Sequence, residues 1–153
     1  MKMPRLMVGL GLALAVFGLV PSVAAASNWV STGRGGSAKT GEGKSVSSIQ
    51  EIDLASIART GKYVKAWVRE TFPGDVIAEP GGKTYRMRVQ FYYYDCSGRM
   101  YDLYSVSEYS ESGDVVDSMS LSSEAELTMT PLPPDSVGAY ALDYVCKAVK
   151  AKG

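Results

Sequence analysis

The sequence predicts an α+β fold: an antiparallel sheet with one C-terminal helix laid on one face. β-Branched and aromatic residues concentrate between residues 63 and 121 and alternate with polar ones, which is typical of half-buried strands. Short stretches of Gly, Pro, Ser and Asp separate these segments, as in an antiparallel meander. After Pro134 the apolar residues instead recur every three or four positions, which indicates an amphipathic helix.

The strands are predicted from their composition in chain order. Residues 28–30 form a short apolar patch for an edge strand, and residues 49–57 favour a strand because Ile and Asp are mediocre helix formers. The strand predicted over residues 63–69 is expected to end before Pro73-Gly74, because this dipeptide is typical of a turn. The remaining predicted strands are residues 85–93, 100–109 and 115–121.

The C-terminal helix is predicted to begin after Asp135 or Ser136, either of which can cap it. Its apolar stripe consists of Val137, Tyr140, Ala141, Tyr144, Val145, Ala148 and Val149. A single-layer sheet needs such a cover to bury its apolar side. We therefore expect the helix to pack on one face of the sheet.

Residues 1–26 have the three parts of a secretory signal peptide. A short basic region precedes an uncharged apolar run over residues 6–20. Ala24 and Ala26 satisfy the small-residue rule, so we expect cleavage before Ser27. The alternative, an uncleaved anchor, is disfavoured because the run is shorter than the roughly 20 residues of a spanning helix. No Cys lies near the cleavage site, so we expect no lipid anchor.

Residues 27–153 are then a single domain, periplasmic or secreted. Within it, residues 33–48 are rich in Gly, Ser and Lys and are predicted to form a flexible loop. Removal of Lys2 and Arg5 with the signal leaves 14 basic and 16 acidic residues. This balance argues against nucleic acid as a partner, because a nucleic-acid surface needs clustered positive charge. No later segment has enough consecutive apolar residues to span a membrane.

The two cysteines, Cys96 and Cys146, are expected to form a disulfide bond. Their number is even, the chain is predicted to be exported, and only one intramolecular pairing exists. The bond would tie the helix to the turn over residues 95–98. A reactive thiol or a metal site is the alternative, and the lack of His and of a Cys-x-x-Cys pair disfavours both.

No catalytic pattern stands out in the sequence. The chain has no His, so a Ser-His-Asp or Cys-His site cannot be assembled. Residues 38–45, AKTGEGKS, fit a relaxed phosphate-loop pattern, but the flanking segments predict neither the buried strand nor the helix that this motif requires. Nothing indicates that two of the acidic residues converge as a glycosidase pair would. We expect a non-enzymatic protein without a metal, a nucleotide or another cofactor.

The ten tyrosines are the unusual feature of the composition, and three of them follow one another from Tyr92. Strand alternation places Arg86, Arg88 and Tyr92 on one face and Phe91 on the other. We interpret the first face as exposed and predict that Arg86, Arg88 and Tyr92 form a binding patch, because Arg and Tyr are enriched at interface hot spots. The alternative is that this face lies under the C-terminal helix, with Tyr92 packed on Tyr140 or Tyr144, and that the Phe91 face is exposed.

Several of these features occur together in the same order in a known family. They are Trp29, Ile52-Asp53, Ser56-Ile57, Gly61, Trp67, the tyrosine-rich strand ending at Cys96, Tyr101, Gly113-Asp114-Val115-Val116, Pro134, Ser136 and Cys146. Over residues 28–149 the sequence resembles the surface-adhesin protein E family of Gram-negative bacteria. The resemblance implies a twisted antiparallel sheet of about six strands, with the helix held on its concave face by the Cys96–Cys146 bond. The namesake of the family is an outer-membrane lipoprotein that binds host matrix and serum proteins.

These observations lead to the hypothesis of an exported, adhesin-like binding protein. Its expected partner is a protein or another macromolecule of the host or the envelope. The alternative is a periplasmic inhibitor of an enzyme such as lysozyme, which would use the turn at residues 95–98. The sequence leaves the oligomeric state open and is compatible with a dimer.

Overall fold

The computed structural model describes residues 26–78 and 81–151, and within these ranges it contains ten strands and one α-helix. The elements are β1 Trp29–Ser31, β2 Ser37–Lys39, β3 Ser45–Ser47, β4 Ile49–Asp53, β5 Ala58–Thr60, β6 Tyr63–Ile77, β7 Thr84–Asp95, β8 Met100–Tyr109, β9 Val115–Ser120, β10 Thr130–Pro131 and α1 Val137–Ala151. Single 3₁₀ turns occupy Leu54–Ser56 and Glu124–Glu126. Apart from Ala26, the predicted signal peptide lies outside the described residues.

The strands form one antiparallel sheet. Its main path runs β1-β4-β6-β7-β8-β10, so the sheet is six strands wide, as predicted. The other four strands are short and share edges with strands of this path. β2 and β5 pair with β6 on the side of β4, β3 pairs with β2, and β9 pairs with β8. The predicted α+β fold is therefore confirmed, with a total of about ten strands.

Strand β6 is longer than the sequence predicted. It continues through Pro73-Gly74 to Ile77, where we expected an end before Pro73. Its pairing with β7 loses register between Thr71 and Val76. A bulge of this kind accommodates a proline because the local ladder is already interrupted. The Pro-Gly turn signal therefore marks an irregularity within a strand instead of its end.

Residues 33–48, which the sequence predicts to be a flexible loop, contain a short β-hairpin. β2 and β3 pair along their whole lengths, and Thr40 N donates to Lys44 O at 2.8 Å within the turn. The AKTGEGKS segment lies on this hairpin, so it lacks the following helix of a phosphate loop. Lys44 forms an exposed ion pair with Glu42 at 2.8 Å.

The main core lies between the sheet and α1. It combines buried side chains of β4 and β6 with the buried side of the helix: Ile52, Val64, Ala66, Val68, Ala139, Ala141, Leu142, Val145, Cys146 and Val149. Four residues of the predicted stripe are only partly buried, namely Val137, Tyr140, Tyr144 and Ala148. Ser136 caps the helix, because its Oγ accepts a hydrogen bond from Ala139 N at 3.2 Å. Within the described ranges, none of the helices combines the length and the apolar character needed to cross a membrane.

The disulfide bond between Cys96 and Cys146 is present, with the two Cα atoms 5.8 Å apart. It joins the turn after β7 to the C-terminal half of α1. The predicted pairing and its role in tying the helix to the sheet are confirmed.

Gly35 allows the segment before the hairpin to lie directly against β4. Ser48 N donates to Gly36 O at 2.9 Å, and a Cβ added at Gly35 would stand 1.7 Å from Ser48 O. The backbone at Ser48 cannot move aside to relieve this clash, as the end of a flexible side chain could. We therefore expect Gly35→Ala to lower the free energy of unfolding by about 1–3 kcal/mol, the usual cost of overpacking.

Gly41 provides the matched control for this prediction, since a Cβ there meets nothing within 4 Å. Urea unfolding of the domain would compare Gly35→Ala with Gly41→Ala. Equal midpoints for the two variants would contradict the packing argument.

Candidate binding surface on the open face of the sheet

The helix covers the face of the sheet that carries Val64, Ala66 and Val68 of β6. In the β6–β7 register, Ala66 stands opposite Tyr92, so Tyr92 is on this covered face. The prediction that Tyr92 points outward is therefore wrong. The Phe91 face is the open one, as in the alternative, but the ring contacts of Tyr92 are with Tyr94 and Tyr101, where the alternative expected Tyr140 or Tyr144.

The neighbouring strand explains this result. Both faces of β7 carry aromatic residues, so its own alternation does not decide which side is buried. In β6 one face carries Val64, Ala66 and Val68, whereas the other carries Lys65 and Arg69, whose charges resist burial. The helix therefore packs on the face of β6 that carries the apolar residues Val64, Ala66 and Val68, and the covered face of β7 is set by its pairing with β6.

Tyr92 is part of the core under the helix. Its ring centroid lies 5.8 Å from that of Tyr94 and 5.7 Å from that of Tyr101. Its hydroxyl accepts a hydrogen bond from Gln90 Nε2 at 2.6 Å. Burial raises the pKa of Tyr92 well above its ordinary value, and the nearby Glu70 carboxylate adds to this effect.

The two arginines of the predicted patch are held by carboxylates. Arg86 contacts Asp75 at 2.8 Å and Glu111 at 2.5 Å. Arg88 Nη2 contacts Glu108 Oε1 at 2.6 Å and also donates to the hydroxyl of Tyr85 at 2.6 Å. The structure therefore does not bring Arg86, Arg88 and Tyr92 together as a free surface.

The face of the sheet away from α1, here called the open face, carries an aromatic band that the sequence analysis missed. The band consists of Tyr63, Trp67, Phe91, Tyr93 and Tyr104. Trp67 and Phe91 lie 4.6 Å apart between ring centroids, and Phe91 in turn lies 5.7 Å from Tyr93 and 6.2 Å from Tyr104. Trp67 is 36% exposed, although it lies in a central strand of the sheet.

One end of the aromatic band is closed by the 3₁₀ turn Glu124–Glu126. The hydroxyl of Tyr93 donates to Glu124 Oε1 at 2.5 Å, and the Tyr93 side chain is buried. Burial, reinforced by this bond to a carboxylate, raises the pKa of Tyr93 to about 12. Tyr93 is therefore the buried, hydrogen-bonded end of the aromatic band, whereas Trp67 is its exposed part.

Basic side chains accompany the band on the same face. Lys65 stands opposite Tyr93 in the register and lies between Tyr63 and Trp67 along β6. Arg69 forms an ion pair with Glu51 at 2.8 Å and stacks over the ring of Trp29 at 4.3 Å. The open face thus combines aromatic area with Lys65 and Arg69, and Trp, Tyr and Arg are the residue types enriched at interface hot spots.

The described residues offer no group of three or more His, Cys, Asp or Glu placed to hold a metal ion. The aromatic band makes the open face a candidate binding surface. Aromatic rings in a rigid sheet lose little conformational freedom when a partner docks on them.

The chain is thus a disulfide-bonded α+β domain with an aromatic band on one face of its sheet. The chain belongs to the surface-adhesin protein E family, whose model matches residues 38–147. This match confirms the resemblance seen in the sequence. No curated protein and no solved structure matches the chain. Membership of this family implies an adhesin-like protein at the surface or outside the cell, without enzymatic activity.

Proposed function

We propose that this chain is an exported adhesin-like protein that binds a host or envelope macromolecule through the aromatic band of its open face. The observation that carries the proposal is Trp67, exposed at the centre of the sheet and stacked on Phe91. Leaving a large aromatic side chain in water forgoes the free energy of its burial. A partner surface that covers the ring would recover it.

The family supports binding and favours it over the alternative of an enzyme inhibitor. Export follows from the predicted signal peptide, with cleavage before Ser27. The proposed partner is a macromolecule because the band extends over β6, β7 and β8, an area too broad and flat for a small ligand.

Replacement of Trp67 tests the proposed surface. We expect Trp67→Ala to weaken capture of the mature domain by immobilised host matrix and serum proteins by about 30-fold or more, the effect of losing an interface hot spot. Surface plasmon resonance would measure this affinity. Met119→Ala is the matched control, because Met119 is 57% exposed and pairs with Val106 on the opposite face.

Circular dichroism must first show that both variants are folded at the assay temperature. Unchanged capture by folded Trp67→Ala would refute the open face as the binding surface. Loss of capture in Met119→Ala would place the binding surface on the other side of the sheet.

A further inference from the structure

A cavity of about 190 Å³ lies between the sheet and the first turn of α1. By volume it would hold about six water molecules. Its wall includes Gln50, Glu70, Gln90, Tyr92, Tyr94 and Tyr101. The cavity is on the covered face of the sheet, so it is separate from the aromatic band of the open face.

Glu70 gives this cavity a negative charge. Its Oε1 accepts hydrogen bonds from Gly36 N at 3.3 Å and Ser48 Oγ at 3.2 Å, which fix the carboxylate in place. Among the described residues, no basic side chain forms an ion pair with it, and no other side chain in the wall is charged. Arg88 stands opposite Glu70 in the β6–β7 register, but its guanidinium is held by Glu108, so the half-buried Glu70 carboxylate faces the cavity without an ion-pair partner among the described residues.

Tyr94 supplies an unused polar group in the same wall. Its side chain is 2% exposed, and its hydroxyl makes no hydrogen bond to any residue in the described ranges. Every fully enclosed polar side-chain atom of the described residues does have a partner. Because Tyr94 lines the cavity, its hydroxyl is the polar group that this part of the wall can offer to an occupant.

The aromatic wall favours a positive occupant as well. The ring centroid of Tyr92 lies 5.8 Å from that of Tyr94 and 5.7 Å from that of Tyr101, and all three residues line the cavity. Aromatic faces attract cations, and the attraction grows when the cation is removed from water. A carboxylate beside several tyrosine rings repels an anion. A neutral molecule would gain nothing from the negative charge.

We infer that this cavity is a binding site for a small organic cation with an ammonium group, held by Glu70 and by the rings of Tyr92, Tyr94 and Tyr101. This site does not depend on the proposed function, because it uses the other face of the sheet. It adds a small-molecule site to a domain whose family concerns macromolecular adhesion.

Nuclear magnetic resonance titration of the mature domain tests the inference. The probes are methylammonium chloride and tetramethylammonium chloride, compared with sodium chloride at equal ionic strength and with tert-butyl alcohol as a neutral molecule of similar size. We expect saturable shifts of the Gly36 and Gly138 amides, which border the cavity, with the ammonium ions alone. Their affinity should exceed that of the alcohol at least tenfold.

Glu70→Gln keeps the oxygen that accepts from Gly36 and Ser48 but removes the charge. We expect it to weaken ammonium binding at least tenfold. Glu42→Gln is the matched control, because Glu42 is an exposed carboxylate on the β2–β3 hairpin, and it should leave the affinity unchanged.

Three results would overturn the inference. Absence of saturable shifts with either ammonium ion would show that the cavity holds water only. Equal binding of tert-butyl alcohol would show a site for neutral molecules, and unchanged affinity in folded Glu70→Gln would show that the cation binds elsewhere. The comparison of probes uses the unmodified domain, so it decides the question even where a variant does not fold.

Discussion

Cys146→Ser is expected to lower the free energy of unfolding of the mature domain by about 2–5 kcal/mol, the usual cost of removing a native disulfide from a small secreted domain. The bond joins residues 50 positions apart, so its loss releases a long loop in the unfolded chain. Cys146 also belongs to the main core, and a serine hydroxyl there replaces an apolar contact.

Urea unfolding measures this effect, and the double variant with Cys96→Ser is its control. The double variant should lose about as much stability as the single one, because either substitution already breaks the bond. Unchanged stability in both variants would show that α1 is held on the sheet by packing alone. A much smaller loss in the double variant would assign the effect to the unpaired thiol of Cys96.

Tyr92→Ala is expected to lower the free energy of unfolding by about 3–5 kcal/mol, the typical cost of truncating a packed aromatic side chain. The ring packs against the core under α1, and its loss also leaves Gln90 Nε2 without its acceptor. Arg86→Ala should cost about 1 kcal/mol or less, because its ion pairs are partly exposed and screened by solvent.

Thermal or urea unfolding of the two single variants tests this contrast. Tyr92→Phe separates the ring from its hydroxyl and should retain most of the stability. Equal small losses for Tyr92→Ala and Arg86→Ala would contradict the packed role of Tyr92. Such equal losses would instead support the exposed binding patch of Arg86, Arg88 and Tyr92 that the sequence predicted.

Much of the fold could be predicted because its signals are local. The strands around residues 85–93 and 100–109 and the helix after Ser136 follow from alternation, from a cap and from helical spacing. The disulfide could be predicted because the chain has two cysteines, which allow one intramolecular pairing, and is expected to be exported. The short strands of two or three residues could not be predicted, because segments of that length carry no measurable period and form only where a longer strand offers an edge.

The choice of face was the main error, and its cause is physical. A strand with aromatic residues on both sides has no preferred inward face until its neighbour is known. The signal that could have decided the question was in β6, where Val64, Ala66 and Val68 share one face and Lys65 shares the other with Trp67. Pairing β6 with β7 before assigning exposure would have identified the open face and its aromatic band.

The short strands at the margins of the sheet also determine how this domain can meet other chains. Among the described residues, the outermost strands β1, β3, β5 and β10 have no more than three residues each, and β9 has six. A neighbouring polypeptide that tried to extend the sheet would find only a few unpaired backbone groups at any one place. Backbone-mediated strand addition, and the aggregation that follows from it, is therefore disfavoured. Contacts with other molecules are therefore made by side chains, which can distinguish one partner from another.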